Sequence, residues 1–257
     1  MRQLVYKWIN INQINRCLLC LGSAAGSPDC ICPPCLDDLP WLGPACRQCA
    51  LPLSAEGLLC GKCQQRPPAF SQVIAPLRYR FPIDSLIPAF KHQHRLTWGR
   101  LLARLLQQAV IHHYQDRQLQ LPDAVIPLPL HRSRQARRGF NQAMELARPI
   151  ARALDIPLDY RNLRRRRATT AQQGLDARAR QRNLRDAFIC RHPTRLAGRH
   201  LALVDDVMTT GTTVNEASRT LLQAGAASVT VWCVARVDAP DNPTVTETDG
   251  PAERQLG

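Results

Sequence analysis

Aromatic residues make up only 5% of this 257-residue chain, and acids are outnumbered 20 to 34 by lysine and arginine. Few rings leave few platforms on which bases can stack, which counts against a protein that holds unpaired nucleic acid by stacking alone. The shortage of acids leaves a net charge of +14, so the expected partners are anions: nucleic acid, pyrophosphate-bearing metabolites, or both. Long hydrophobic runs are missing too. The opening MRQLVYKWININQINR interrupts its apolar residues with polar ones, and no later stretch has the length to span a bilayer. No membrane insertion and a cytoplasmic location are therefore expected. The hydrophobic content of 45% is ordinary for a globular protein, and the length allows one core of usual size plus a small second module.

Cysteine, by contrast, is abundant and clustered: nine of the eleven lie between Cys17 and Cys63. Cys17-x-x-Cys20, Cys32-x-x-Cys35, Cys46-x-x-Cys49 and Cys60-x-x-Cys63 are four knuckles, each able to offer two thiolates to a tetrahedral ion. Sequential pairing gives Cys17, Cys20, Cys32 and Cys35 to one Zn²⁺ and Cys46, Cys49, Cys60 and Cys63 to another, making two tandem zinc ribbons. An interleaved arrangement is the alternative, and Cys30 can stand in for Cys32. A disulfide framework is disfavoured in a reducing compartment. Segments this short bury too little apolar surface to fold without a staple, so zinc, as one or two ions with every ligand position filled, is expected to be structural.

The chemistry is concentrated in Leu201 to Thr213, LALVDDVMTTGTT. LALV has the character of a buried parallel strand, and Val214, Ala217, Leu221 and Leu222 recur at helical spacing, so the acid pair and TTGT read as a strand-to-helix turn. Open α/β sheets bind ligands at that end of their strands. The amides of Thr209 to Thr212, the threonine hydroxyls and the helix N-terminus make an uncharged cradle for phosphate, which Gly211 lets approach closely. Asp205 and Asp206 would repel that phosphate; they suit two ribose hydroxyls and Mg²⁺. The blander reading is a solvated acidic turn with Thr212 or Thr213 as N-cap.

Elsewhere, Pro67-Pro68 closes the cysteine module and Ser71 to Phe81 reads as a strand or hairpin. One or two helices are expected from Ile83 to about Tyr114, with Thr97-Trp98-Gly99 as a break and Lys91 between the apolar positions; His92, His94, His112 and His113 there read as surface or satisfied residues. A second buried strand, Ala124 to Leu130, runs into a basic loop in which Arg132, Arg134 and Arg138 can hold a pyrophosphate or a nucleic-acid backbone. Ala143 to Leu154 reads as helix. Arg167 to Leu175, with Arg178, Arg180, Arg182 and Asn183, reads as a mobile basic flap or an exposed linker. Ala227 to Val234 reads as another strand and the tail as disordered.

LVDDVMTTGTT closely resembles the phosphoribosyl-pyrophosphate (PRPP) motif of type I phosphoribosyltransferases. The resemblance implies that Asp205 and Asp206 bind the ribose hydroxyls and that Thr209, Thr210, Gly211, Thr212 and Thr213 bind the 5′-phosphate. Purine-salvage members carry a carboxylate where this chain has Thr209, so a 6-oxopurine acceptor is disfavoured. Together with the four knuckles, VIPLPLHRSRQARRGFNQ and the TTAQQGL stretch, the motif resembles the ComF family, including its GntX-like branch.

That resemblance implies an α/β fold with a mostly parallel, phosphoribosyltransferase-like sheet flanked by helices and preceded by zinc ribbons. The boundaries would be 1–16 extension, 17–68 double ribbon, 69–237 phosphoribosyltransferase-like domain and 238–257 tail. It also implies PRPP or a related ribose-phosphate as ligand, Mg²⁺ with it, an undefined acceptor, and service in DNA uptake or in the use of extracellular DNA beside DNA-uptake proteins. In that chemistry Arg132, Arg134 and Arg138 would stabilise the leaving group. The competing class is a non-catalytic, single-stranded-DNA-binding module that retains the fold.

Overall fold

A computed structural model describes residues 16–27, 30–93, 95–167 and 186–239. The expected flap beyond Arg167, most of the expected tail, nearly all of the N-terminal extension and His94 lie outside the described residues. In chain order the strands are β1 (Gln72–Ile74), β2 (Leu77–Arg78), β3 (Ala124–Pro127), β4 (Leu163–Arg165), β5 (Phe188–Cys190), β6 (His200–Met208) and β7 (Ser228–Arg236). The main sheet has the order β1-β7-β6-β3, with β2 also alongside β7, and every pairing in it is parallel. β4 and β5 form a separate antiparallel pair.

Both faces of the sheet are buried, as the apolar strand sequences require. Leu201, Leu203, Val229, Val231 and Cys233 enter one core, while their alternates Ala202, Val204, Trp232 and Val234 enter the other. The first core is closed by helix α7 (Thr212–Gln223) through Val214, Ala217 and Leu221. The second is closed by α3 (Ile83–His92), α4 (Leu96–Asp116) and α6 (Gln142–Ala153).

One local expectation is narrowed and two are corrected. Ser71 to Phe81 takes the strand form of that expectation and not the hairpin form, because β1 and β2 follow β7 in the same direction, at Gln72 opposite Thr230 and Leu77 opposite Ala235, with Ala75-Pro76 between them. α3 ends at His92 and α4 begins at Leu96, so Thr97-Trp98-Gly99 are no break but lie in the first turn of α4. Gly99 serves packing instead: a Cβ there would sit 2.5 Å from the ring of Phe90, a fully buried residue of α3. The basic loop after β3 forms a short helix, α5 (Arg132–Arg138), whose start is capped by His131 accepting from the Ser133 amide and whose end is Gly139 at φ 79°. Arginine, glutamine and alanine are good helix formers, and the left-handed glycine terminates them.

The cysteine segment is an internal repeat. In each half a knuckle ends on a left-handed residue, Leu21 at φ 62° and Ala50 at φ 54°. The first cysteine of the following knuckle, Cys32 or Cys60, is then the N-cap of a short helix, α1 (Pro33–Asp37) or α2 (Gly61–Gln65). The halves dock on opposite faces of the sheet: Cys17 and Cys32 pack in the core with α3 and α4, and Cys46, Cys49, Cys60 and Cys63 in the core with α7. Between them, Leu42 donates to the Pro76 carbonyl and Arg78 to the Pro40 carbonyl, so residues 40–42 cover the edge beside β2.

Candidate ribose-phosphate site

The acid pair lies inside β6 rather than in the turn after it, since β6 continues to Met208. Alternation along the strand then gives the carboxylates different surroundings. Asp206 is 4% exposed, and its Oδ1 accepts from the Val207 amide at 2.8 Å. Asp205 Oδ1 accepts from the Asp206 amide at 2.9 Å. Asp205 is half-buried and lines a cavity; its desolvation there, and then the charge of Asp206, pushes its carboxyl up to about 8.

The cavity, about 290 Å³ in volume, is lined by Asp205, Asp206, Met208, Thr209, Gly211, Thr212 and Thr213 on one side. Gly211 stands at φ 77° as the N-cap of α7, with no side chain of its own to cap the helix, and an added Cβ would lie 2.5 Å from the terminal methyl of Met208; Thr210 Oγ1 accepts from the Thr212 amide at 3.4 Å. Thr210 Oγ1 and Thr212 Oγ1 are 2.7 Å apart, which pins the loop, and Thr209 is exposed at its outer turn. This is an anion cradle of amides and hydroxyls at a helix N-terminus, next to two carboxylates that accept hydroxyl donors.

The opposite wall is basic. Lys91 Nζ of α3 is 2.7 Å from Asp206 Oδ2. Arg134 and Arg138 reach the cavity from α5, and Arg138 Nη1 donates to Gln142 Oε1 at 2.6 Å. Arg165 arrives from β4, over the ring of Phe188. Burial, followed by the repulsion of Arg134, lowers the Arg165 guanidinium to about 10, and burial likewise lowers Arg138. Positive groups held together against their own repulsion favour an anion between them.

Of the residues expected from sequence, the structure therefore brings Asp205, Asp206, Arg134, Arg138, Thr209, Gly211, Thr212 and Thr213 around one cavity. Thr210 supports its loop from behind. Arg132 is exposed and lines an adjoining groove of about 760 Å³, which shares Leu130 and Arg165 with the cavity. Lys91, Arg165 and Tyr79 were not assigned to the site from sequence. In the sequence Lys91 is a lone cation on an apolar helix and Arg165 one of several arginines crowded into 161–167; in the structure Leu163 is buried, Arg164 exposed and Arg165 turned back toward the interior.

The cysteines fall into the two sequential sets, Cys17, Cys20, Cys32 and Cys35, and Cys46, Cys49, Cys60 and Cys63, each with its four sulfurs within 4.8 Å of one another. Thiolates around a tetrahedral zinc are about 3.8 Å apart, given Zn–S bonds of about 2.3 Å. Cys20 and Cys32 sulfurs are 3.7 Å apart and those of Cys49 and Cys60 3.6 Å, so both sets fit such an ion. Cys30 is outside the first set, with φ 54°.

A parallel sheet with an acid pair, a threonine-glycine phosphate loop and a basic wall at its carboxyl ends defines a type I phosphoribosyltransferase-like fold. The family profile described as "phosphoribosyl transferase domain" matches residues 139–248. Among curated relatives, a DNA utilization protein of Shigella flexneri is 43% identical over 191 residues, covering 74% of this chain and 83% of that protein. The corresponding protein of Salmonella typhimurium is 40% identical over 220 residues, covering 86% and 96% respectively. Competence protein F of Haemophilus influenzae is 37% identical over 222 residues, again covering 86% and 96%. The chain belongs to the ComF family.

Proposed function

We propose that the cavity binds PRPP or a related ribose-phosphate together with Mg²⁺, and that the protein is a phosphoribosyltransferase serving DNA uptake or the use of extracellular DNA. The single observation carrying this reading is the juxtaposition of Asp205 and Asp206 with the Gly211 helix N-terminus across from Arg134, Arg138 and Arg165. One wall suits ribose hydroxyls and a 5′-phosphate, and the other suits pyrophosphate. The names of the relatives, DNA utilization protein and competence protein F, support the physiological setting.

Transfer would break the bond from the anomeric carbon to the pyrophosphate oxygen, with the electron pair leaving on pyrophosphate, and form a bond from that carbon to the acceptor. Arg134, Arg138 and Arg165 would stabilise the departing charge from fixed positions. The amides at Gly211 to Thr213 would hold the 5′-phosphate so that the reacting carbon stays in line. Asp205 and Asp206 would fix the ribose hydroxyls and hold Mg²⁺, a hard ion suited to their oxygens. Lys91 already places a cation on Asp206, which fits a site built to take positive charge there. When bound, Mg²⁺ would supply neutralising charge to the pyrophosphate.

Calorimetry with PRPP and Mg²⁺ tests the reading. Binding is expected for the native chain and its loss in the Asp205→Asn, Asp206→Asn double variant; no binding by the native chain sinks the proposal, as does undiminished binding by the variant.

The adjoining groove favours a second, compatible reading. Arg132, Arg148, Arg164, Arg166 and Arg191 line it beside Tyr160, a 46% exposed ring with Arg161 over it at 5.2 Å. A basic track with one aromatic platform suits single-stranded DNA. Affinity for a single-stranded oligonucleotide should fall steeply with salt if the groove follows the backbone, and a salt-independent affinity argues against it.

A further inference from the structure

The second cysteine set is hydrogen-bonded to the phosphate loop. Arg236, at the end of β7 and 5% exposed, donates from Nε to the Cys49 carbonyl at 3.0 Å. Its Nη1 donates to the carbonyls of Met208 at 3.1 Å, Thr209 at 2.5 Å and Val237 at 2.5 Å. Lys62, between Cys60 and Cys63, donates from Nζ to the Thr210 carbonyl at 3.2 Å. Asn215, in the first turn of α7, accepts from the Ala69 amide at 2.7 Å just beyond the cysteines.

These contacts orient the loop. In a trans peptide the N–H points opposite to the preceding C=O. With the Thr209 and Thr210 carbonyls drawn toward Arg236 and Lys62, the amides of Thr210 and Gly211 point away from the cysteine side and remain for an anion. The first cysteine set packs on the other face of the sheet.

We infer that Lys62 and Arg236 are positioning residues of the ribose-phosphate site, and that the second cysteine set, held by its metal, fixes the conformation of the phosphate loop while the first does not. The ligand in this inference rests on the proposed function; the mechanical coupling does not. Metal loading of Cys46, Cys49, Cys60 and Cys63 is thereby a condition for affinity at a site none of them lines.

The test uses the full, zinc-loaded chain and the variants Lys62→Met, Cys63→Ser and Cys35→Ser. Zinc content, amide hydrogen exchange over residues 208–213, and calorimetric affinity for ribose 5-phosphate with Mg²⁺ are measured on each. Lys62→Met should keep both ions, exchange faster over 208–213 and bind about tenfold more weakly, the scale of one lost charge-assisted hydrogen bond. Cys63→Ser should lose one ion and accelerate the same amides, whereas Cys35→Ser should lose one ion and leave them unchanged. Native exchange rates in either Lys62→Met or Cys63→Ser overturn the inference, as does equal acceleration in Cys35→Ser. Because Lys62 is exposed, its substitution decides the matter even if Cys63→Ser does not fold. Absence of ribose 5-phosphate binding by the native chain would defeat the proposed function, while exchange would still decide the coupling.

Discussion

Replacing Lys91 by methionine should expose how strongly the acid pair depends on a neighbouring cation. Nζ lies 2.7 Å from Asp206 Oδ2, with the Lys91 side chain 21% exposed and that of Asp206 5% exposed. Removing one partner of a buried pair typically costs about 3–5 kcal/mol. Since Lys91 keeps contact with solvent, about 2–3 kcal/mol is the appropriate scale. For a chain of this size that lowers Tm by about 4–12 °C. A divalent ion at the vacated charge should restore the loss: at a hundredfold excess over its Kd, native-state binding contributes about 2.7 kcal/mol. Thermal melts of the native chain and Lys91→Met, with and without Mg²⁺, provide the assay. The variant should melt earlier and gain more from Mg²⁺ than the native chain, whose lysine competes for the same oxygen. An unchanged Tm in Lys91→Met, or equal Mg²⁺ responses in the two proteins, would refute the reasoning.

Gly211→Ala forces a side chain into φ 77° and against Met208, so it should cost about 1–2 kcal/mol of stability and weaken ribose 5-phosphate binding about tenfold; native affinity by calorimetry would contradict the cradle. Gly99→Ala should destabilise by about 1–3 kcal/mol in urea melts, because its Cβ meets the Phe90 ring and the two helices must separate, and an unaltered midpoint would show that the ring simply turns aside. Burial lowers the affinity of His113 and of His200 for protons, with Asp123 partly opposing the shift at His200. The unfolded chain therefore takes up these protons first as pH falls through about 6.5, and stability should decline below that value. Chemical denaturation between pH 7 and 5 checks this slope, which should flatten in a His113→Gln, His200→Gln variant.

What could be read from sequence was what neighbouring residues determine. The acid pair and TTGTT were legible because strand, loop and helix follow one another within 201–223, and the cysteine sets because knuckle spacing restricts which sulfurs meet. Two of the buried strands were visible in the apolar run LALV and in Ala227 to Val234. The failures were local choices settled by distant partners. Gly99 looked like a break until Phe90 supplied a reason for it within a helix. The arginines after β3 looked like a loop because their caps, His131 and Gly139, were not given that role. Lys91, Arg165 and Arg236 come from three separate segments, and only the tertiary fold brings them to Asp206, to the cavity and to the Met208 carbonyl.

The position of β7 bears on how the protein is made. Among the described residues it is the last strand of the sheet in chain order, but it lies in the interior, between β1 and β6. Ser71, just ahead of β1, donates to Val229, 158 positions later, so β1 and β2 have no strand to join until β7 leaves the ribosome. Their partners arrive only after most of the chain has been synthesised, and the cysteine sets fold against cores that are still open at that stage. Chains arrested before Ser228 would display an unfinished parallel edge at β6 and an unanchored Cys49 turn, which makes them natural prey for quality-control proteases and chaperones.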